Sequence, residues 1–274
     1  MSNSVEDPAG IAQWLKNTGY PLEMRVGSIF RRQTNLFCQH GSSYADPITG
    51  TIRTTDIRAG QGIRPSLIDR GQEFELFVDF YIECKARPAP WIIFVDRLNN
   101  VARGVDSFSP ELTFWYNPHT IDDEDLSDYL DFVNRDGDIR EASKLLDPRE
   151  LVGYEICEKR KEDRSNLDPA FAAVRQAASA AIALTCSRPT DDGDQTPNVG
   201  FPVLVTGGLL FEAWMDENEN LQVAQVDRSR VMVTIGSNFG PTLVHVVTES
   251  GIEEFARDCA VTAAVLVGRK LDQI

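Results

Sequence analysis

Residues 75–85 read Glu-Leu-Phe-Val-Asp-Phe-Tyr-Ile-Glu-Cys-Lys, and no other stretch constrains the fold as tightly. The even positions Leu76, Val78, Phe80, Ile82 and Cys84 are all apolar, while every charge falls on the odd positions Glu75, Asp79, Glu83 and Lys85. Side chains alternate across a strand, so this pattern predicts a β-strand with one apolar face for a core and one charged, accessible face. On that reading Glu83 and Lys85 project together, and Cys84 points the other way as a buried anchor. A carboxylate and an ammonium two residues apart on a rigid strand can hold a metal ion and position a water beside it.

The elements around this strand predict an α/β chain with a mixed central sheet flanked by helices. Asp7-Pro8 opens a short helix ending near Gly19, with Asp7 as N-cap and Pro8 in the first turn. A second helix runs from Pro21 to about Gln33 with the apolar stripe Leu22, Val26, Ile29 and Phe30. Glu23 borders that stripe, and Gly27, one turn on, leaves room for a sheet edge to approach. Strands are predicted at 36–44 and 51–57, joined by the turn Asp46-Pro47-Ile48-Thr49-Gly50; a loop containing Gly60 and Gly62 follows. After the 75–85 strand come a proline break at Pro88 and Pro90 and a strand at 91–95. Residues 96–166 are irregular and read as an insertion or lid on a single domain spanning 1–274. A helix capped by Asp168 runs to about Cys186. Strands follow at 202–206, 209–215, 221–226, 231–235 and 243–247, with Thr206-Gly207-Gly208 as a hairpin turn, and a helix at 252–267 closes the chain.

Charge and cysteine usage narrow the function. The net charge is −15, which disfavours nucleic-acid binding through a globally basic surface. The charge is uneven: residues 25–103 hold eleven Arg/Lys against eight Asp/Glu, and residues 104–274 hold fifteen against thirty-one. The segment around Glu83 is thus the least acidic. Five scattered cysteines without a Cys-x-x-Cys pair argue against a disulfide framework and a structural zinc site, and fit a reducing cytoplasm. No apolar run is long enough for a membrane span. There is no phosphate-binding Gly-x-x-x-x-Gly-Lys-Ser/Thr loop, and three histidines (His40, His119, His245) without an evident nucleophile give a Ser-His-Asp triad little support. Cys38 and His40 have ligand types at strand spacing but no second pair.

The order helix, strand, strand with Asp56, strand with Glu83-Cys84-Lys85, later helix and later strand resembles the αβββαβ core of the PD-(D/E)xK nuclease superfamily. Thr55-Asp56-Ile57 is similar to its (P)D motif, with Thr55 where the proline would stand, and Glu83-Cys84-Lys85 to its (E/D)xK motif. Glu23 matches the acidic position that many members carry on the first helix. The resemblance covers residues 8–95 by motif and 168–206 by order. It implies a restriction-endonuclease-like fold and a metal-dependent nuclease acting on DNA, with Asp56, Glu83 and Lys85 as catalytic residues. Asp56, Glu83 and the Cys84 backbone carbonyl would bind Mg²⁺ or Mn²⁺, and Glu23 would reach the ion through water. Lys85 would orient or deprotonate the attacking water, or stabilise the transition state as a cation. The Gln-x-x-x-Tyr motif of some exonuclease members is not matched, because Gln176 is followed at 180 by alanine.

Each residue also has a plainer role open to it. Glu83 and Lys85 could form a surface ion pair on a solvated strand, Asp56 could be a strand-end turn residue, and Glu23 could be a first-turn acid favoured by the helix dipole. Arg31, Arg32, Arg53, Arg58, Arg64 and Arg87 could contact phosphates or simply face solvent. The competing function is a catalytically silent protein of the same fold. It would serve as a binding or assembly subunit, as a homo-oligomer or with a protein partner on the acidic C-terminal two-thirds.

Overall fold

A parallel ladder of nine residue pairs, from Phe77–Asn198 to Lys85–Thr206, ties the 76–85 strand to one far along the chain. The computed structural model describes residues 7–16, 18–63, 76–101, 115–116, 143–146, 151–159, 168–186, 198–236 and 239–267. The elements before this ladder are α1 (Pro8–Leu15), α2 (Tyr20–Arg31), β1 (Phe37–Ala45), β2 (Ile52–Ile63) and β3 (Leu76–Lys85). Next come β4 (Trp91–Arg97), the single turn α3 (Leu98–Val101), the two-residue β5 (Trp115–Tyr116) and β6 (Leu151–Glu158). Helix α4 (Pro169–Cys186) leads into β7 (Asn198–Thr206), and β8 (Leu210–Met215), β9 (Leu221–Val226), β10 (Arg228–Thr234), β11 (Pro241–Thr248) and α5 (Ile252–Leu266) complete the chain. The fold is α/β, with one mixed sheet of eleven strands in the order β1-β2-β3-β7-β11-β10-β6-β4-β8-β9 and β5 on β7.

β1, β2 and β3 form an antiparallel meander, and β3 then runs parallel to β7, which runs parallel to β11. Parallel strands need a crossover, and α4 lies in the connection to β7. β7 is buried along its whole length, as a strand flanked by parallel neighbours and covered on both faces must be. The even residues of β3, Val78, Phe80, Ile82 and Cys84, pack with Leu22, Val26 and Phe30 of α2 and with Phe255, Ala256 and Cys259 of α5. α4 covers the other face. Its residues Ala177, Ala178 and Ile182 pack against Leu204, Val244 and Val246, and Ala180 and Ala181 pack against Tyr81 of β3. Alanine lets the helix approach the sheet closely.

That second layer corrects one expectation. The odd face of β3 is interior, not accessible: Asp79 and Tyr81 are buried, and Glu83 is only 2% exposed. The alternation of charge predicts a solvent boundary, but the charged face is satisfied by partners under α4. Arg58 donates to Asp79 at 2.6 Å, Tyr81 donates to Asp79 at 3.3 Å, and Asn198 donates to the Tyr81 hydroxyl at 3.1 Å.

Other boundaries also shift. β2 continues through Gly60 and Gly62, which were expected in a loop, so Asp56 lies within the strand and not at its end. A methyl at Gly60 would sit 2.3 Å from Asp79 Oδ1 and 2.6 Å from the Val78 carbonyl, and one at Gly62 would strike the Phe77 ring. The glycines are therefore strand residues placed where β3 crowds β2. Thr206-Gly207-Gly208 is no hairpin: β7 and β8 are not neighbours, and the turn carries the chain across to β4. Much of 96–166 lies outside the described residues. Within it, β6 pairs with β4 and β10 inside the sheet, and Leu145 and Leu146 are buried, so the sheet runs through this stretch. Glu75, Arg64 and His119 also lie outside the described residues. No helix among the described residues is long and apolar enough to cross a membrane.

Gly60→Ala should therefore destabilise the protein by roughly 1–3 kcal/mol, the usual cost of overpacking. Chemical denaturation would measure it, and an unchanged midpoint would refute the close approach.

Candidate active site

β2 and β3 pair residue by residue only as far as Ile57–Ile82. Beyond that point side chains of β2 take over the bonding. Thr55, fully buried, donates its hydroxyl to the Ile82 carbonyl at 3.2 Å, and the Cys84 amide donates to Asp56 Oδ2 at 2.7 Å. An aspartate thus serves as the acceptor for a strand amide, which fixes its carboxyl group beside the Glu83-Cys84-Lys85 backbone. A surface strand would leave that amide to water; here the bond to Asp56 satisfies it.

Glu83 and Lys85 follow on the same face of β3, and Lys85 Nζ donates to Glu83 Oε1. Glu83 Oε2 is buried without a hydrogen-bond partner among the described residues. Lys85 is about a quarter exposed along its side chain, so its tip lies at the rim of the site. The Lys85 carbonyl accepts from the Arg87 and Gly207 amides at 2.8 and 2.9 Å, which pins the end of the strand. A solvated surface ion pair does not describe this arrangement, because one partner is interior.

Burial pushes the Glu83 carboxyl up to about 7; the nearby Asp56 charge adds to the rise, and Lys85 opposes it. Asp56 is also raised by burial, against the opposing pull of the Cys84 amide, Lys85 and His40. Glu23, half-buried on the first turn of α2, is raised by burial and by Asp56, and lowered by Lys85. The three carboxylates and the one ammonium therefore form a single electrostatic unit, in which acids outnumber the base. Such a unit favours a cation. Among the described residues, no three His, Cys, Asp or Glu side chains gather closely enough to hold a metal ion by themselves. Asp56 and Glu83 place hard oxygen atoms on adjacent strands, and Glu83 Oε2 has no hydrogen-bond partner among the described residues.

Two residues join the site from outside the expected set. Gln176 of α4 lies with Oε1 3.5 Å from Lys85 Nζ. Tyr44 of β1 is buried against Ala180 and donates its hydroxyl to the Gln176 carbonyl at 3.4 Å. The Gln-x-x-x-Tyr spacing missed this pair because the tyrosine comes from another element and fills the space above Ala180. The alanine itself was the available signal, since it leaves room on α4 for a large neighbour. Cys84 is buried with the apolar core, as expected of an anchor, and its thiol is raised by burial. Cys38 donates to the Gly27 carbonyl at 3.5 Å and takes no part in the site.

No family model, curated protein or solved structure matches the chain.

The raised Glu83 carboxyl has a consequence for stability. Its folded-state value lies above the ordinary carboxylate range, so the folded protein holds a proton that the unfolded chain releases. Stability must then fall as pH rises from about 4.5 to about 7, with the full penalty present above that window. Glu83→Gln removes the titration. Melting curves should show the variant gaining on the wild type by up to about 3 kcal/mol between pH 4.5 and pH 8. A constant difference across that window would refute the shift.

Proposed function

We propose that this protein is a divalent-metal-dependent nuclease that hydrolyses phosphodiester bonds in DNA, built on a PD-(D/E)xK-type core. The observation that carries the reading is the convergence of Asp56, Glu83 and Lys85 where β2 leaves β3. The order α2-β1-β2-β3-α4-β7, with β3 and β7 parallel, supports the αβββαβ comparison.

Asp56, Glu83 and the Cys84 carbonyl would hold Mg²⁺ or Mn²⁺, and Glu23 would reach the ion through a water. A bound ion supplies a water of lowered pKa and offsets charge that develops on the phosphate. Lys85 stands beside both carboxylates at the rim, where an ammonium can orient the attacking water or stabilise the transferring phosphate's charge. Glu83 and Gln176 hold its tip, so the orientation is set before substrate arrives. A cation between Asp56 and Glu83 would also offset the burial that raises both groups.

The Lys85–Glu83 ion pair favours a second reading, in which the charges satisfy each other and the protein binds a partner without catalysis. A cleavage assay on linear and circular DNA with Mg²⁺ or Mn²⁺ separates the two. Lys85→Ala and Asp56→Ala should each lower the rate by about a hundredfold or more with the fold intact by circular dichroism. Retained cleavage in both variants removes the assignment, and an inactive wild type on every substrate supports the silent protein.

A further inference from the structure

The arginines near the site are not equivalent. Arg32 is paired with Glu253 at 2.7 Å, Arg53 with Asp46 at 3.1 Å, Arg58 with Asp79 at 2.6 Å and Arg87 with Glu158 at 3.7 Å. On α2, Arg25 is likewise paired with Glu249. Arg31 alone in this set has no carboxylate partner among the described residues; its Nη1 lies 3.0 Å from Nε2 of His40. A guanidinium only donates, so His40 Nε2 accepts, and the neutral ring carries its proton on Nδ1. Both side chains are exposed.

Their placement is built into two elements. Glu23, Gly27 and Arg31 recur every four residues and share one stripe of α2. His40 reaches from β1 into the gap at Gly27, where a methyl would lie 2.7 Å from the ring. His40 also lies near enough to Asp56 to act on its carboxyl group. The stripe therefore begins in the carboxylate cluster and ends, about 12 Å along the helix axis, at an uncompensated cation.

Resting on the nuclease reading above, we infer that Arg31 and the Nδ1–H of His40 form a phosphate contact on the substrate strand, a few nucleotides from the bond that is cut, at roughly 3.4 Å of rise per nucleotide. The pair positions the strand and carries no sequence preference, because a phosphate looks the same at every base. It also explains how a chain of net charge −15 could engage a polyanion: the contact is local and aligned with the site.

Binding of a fluorescent duplex, read by anisotropy across a salt series in the Lys85→Ala background, tests the inference. Arg31→Ala should weaken binding about tenfold and lower the slope of log K against log salt by about one. Arg32→Ala, which loses a cation already paired, should change affinity less than twofold, and Arg31→Lys should restore part of the loss. In the active protein Arg31→Ala should raise KM and leave kcat. Equal effects from Arg31→Ala and Arg32→Ala, or none from either, overturn the phosphate contact. That failure is distinct from failure of the nuclease reading, which shows as cleavage surviving both Lys85→Ala and Asp56→Ala. Duplex binding that depends on Arg31 without any cleavage keeps the contact and removes the catalytic reading.

Discussion

The ladder between β3 and β7 buries Glu83, and that burial sets the character of the whole site. Parallel pairing requires the crossover through α4, and the crossover lays α4 over the odd face of β3. A carboxylate under that helix loses most of its water, so its proton affinity rises, and its second oxygen has no partner among the described residues. Lys85, one pleat further along the same face, is close enough to answer the charge and far enough along to reach the rim. Remove the crossover and the same three residues become an ordinary surface triplet.

Asp56 depends on a second local event, the parting of β2 from β3. An amide that leaves its ladder needs another acceptor, and the Asp56 carboxyl supplies it to Cys84. The bond costs Asp56 part of its freedom and fixes one oxygen, while the charge stays beside Glu83. Two carboxylates and a lysine are thereby set by backbone geometry rather than by flexible loops, which is the kind of pre-organisation that catalysis by positioning requires. Gln176 and Tyr44 extend the same logic to the face of α4, where one side chain meets Lys85 and the other holds the helix backbone.

Around this centre the cations are sorted by their partners. Most arginines close to the site are neutralised by carboxylates on neighbouring elements, which leaves the acidic cluster flanked by Arg31 of α2 and His40 of β1. The glycine at 27 makes that flank by admitting a ring from β1. Local arrangement, rather than net charge, governs what such a surface attracts at distances within a Debye length.

Periodicity by itself determined much of this protein. The alternation in 76–85, the stripe on α2, the Asp7 and Asp168 caps and the run of alanines in α4 each depend on neighbours in the chain, and the corresponding elements form with ends within a few residues of expectation. The shared face of Glu83 and Lys85, with Cys84 opposite, follows from the same alternation, while Asp56 and Glu23 stood out through the resemblance of the motif order to a known core. What the tertiary structure alone decided was which side of each strand meets water. Burial of the charged face of β3, continuation of β2 through Gly60 and Gly62, the place of β6 inside the sheet, and the arrival of Tyr44 and Gln176 at Lys85 all arise from contacts between residues distant in sequence. A residue pattern records that two faces of a strand differ; only the packing of α4 settles that the polar face is interior too.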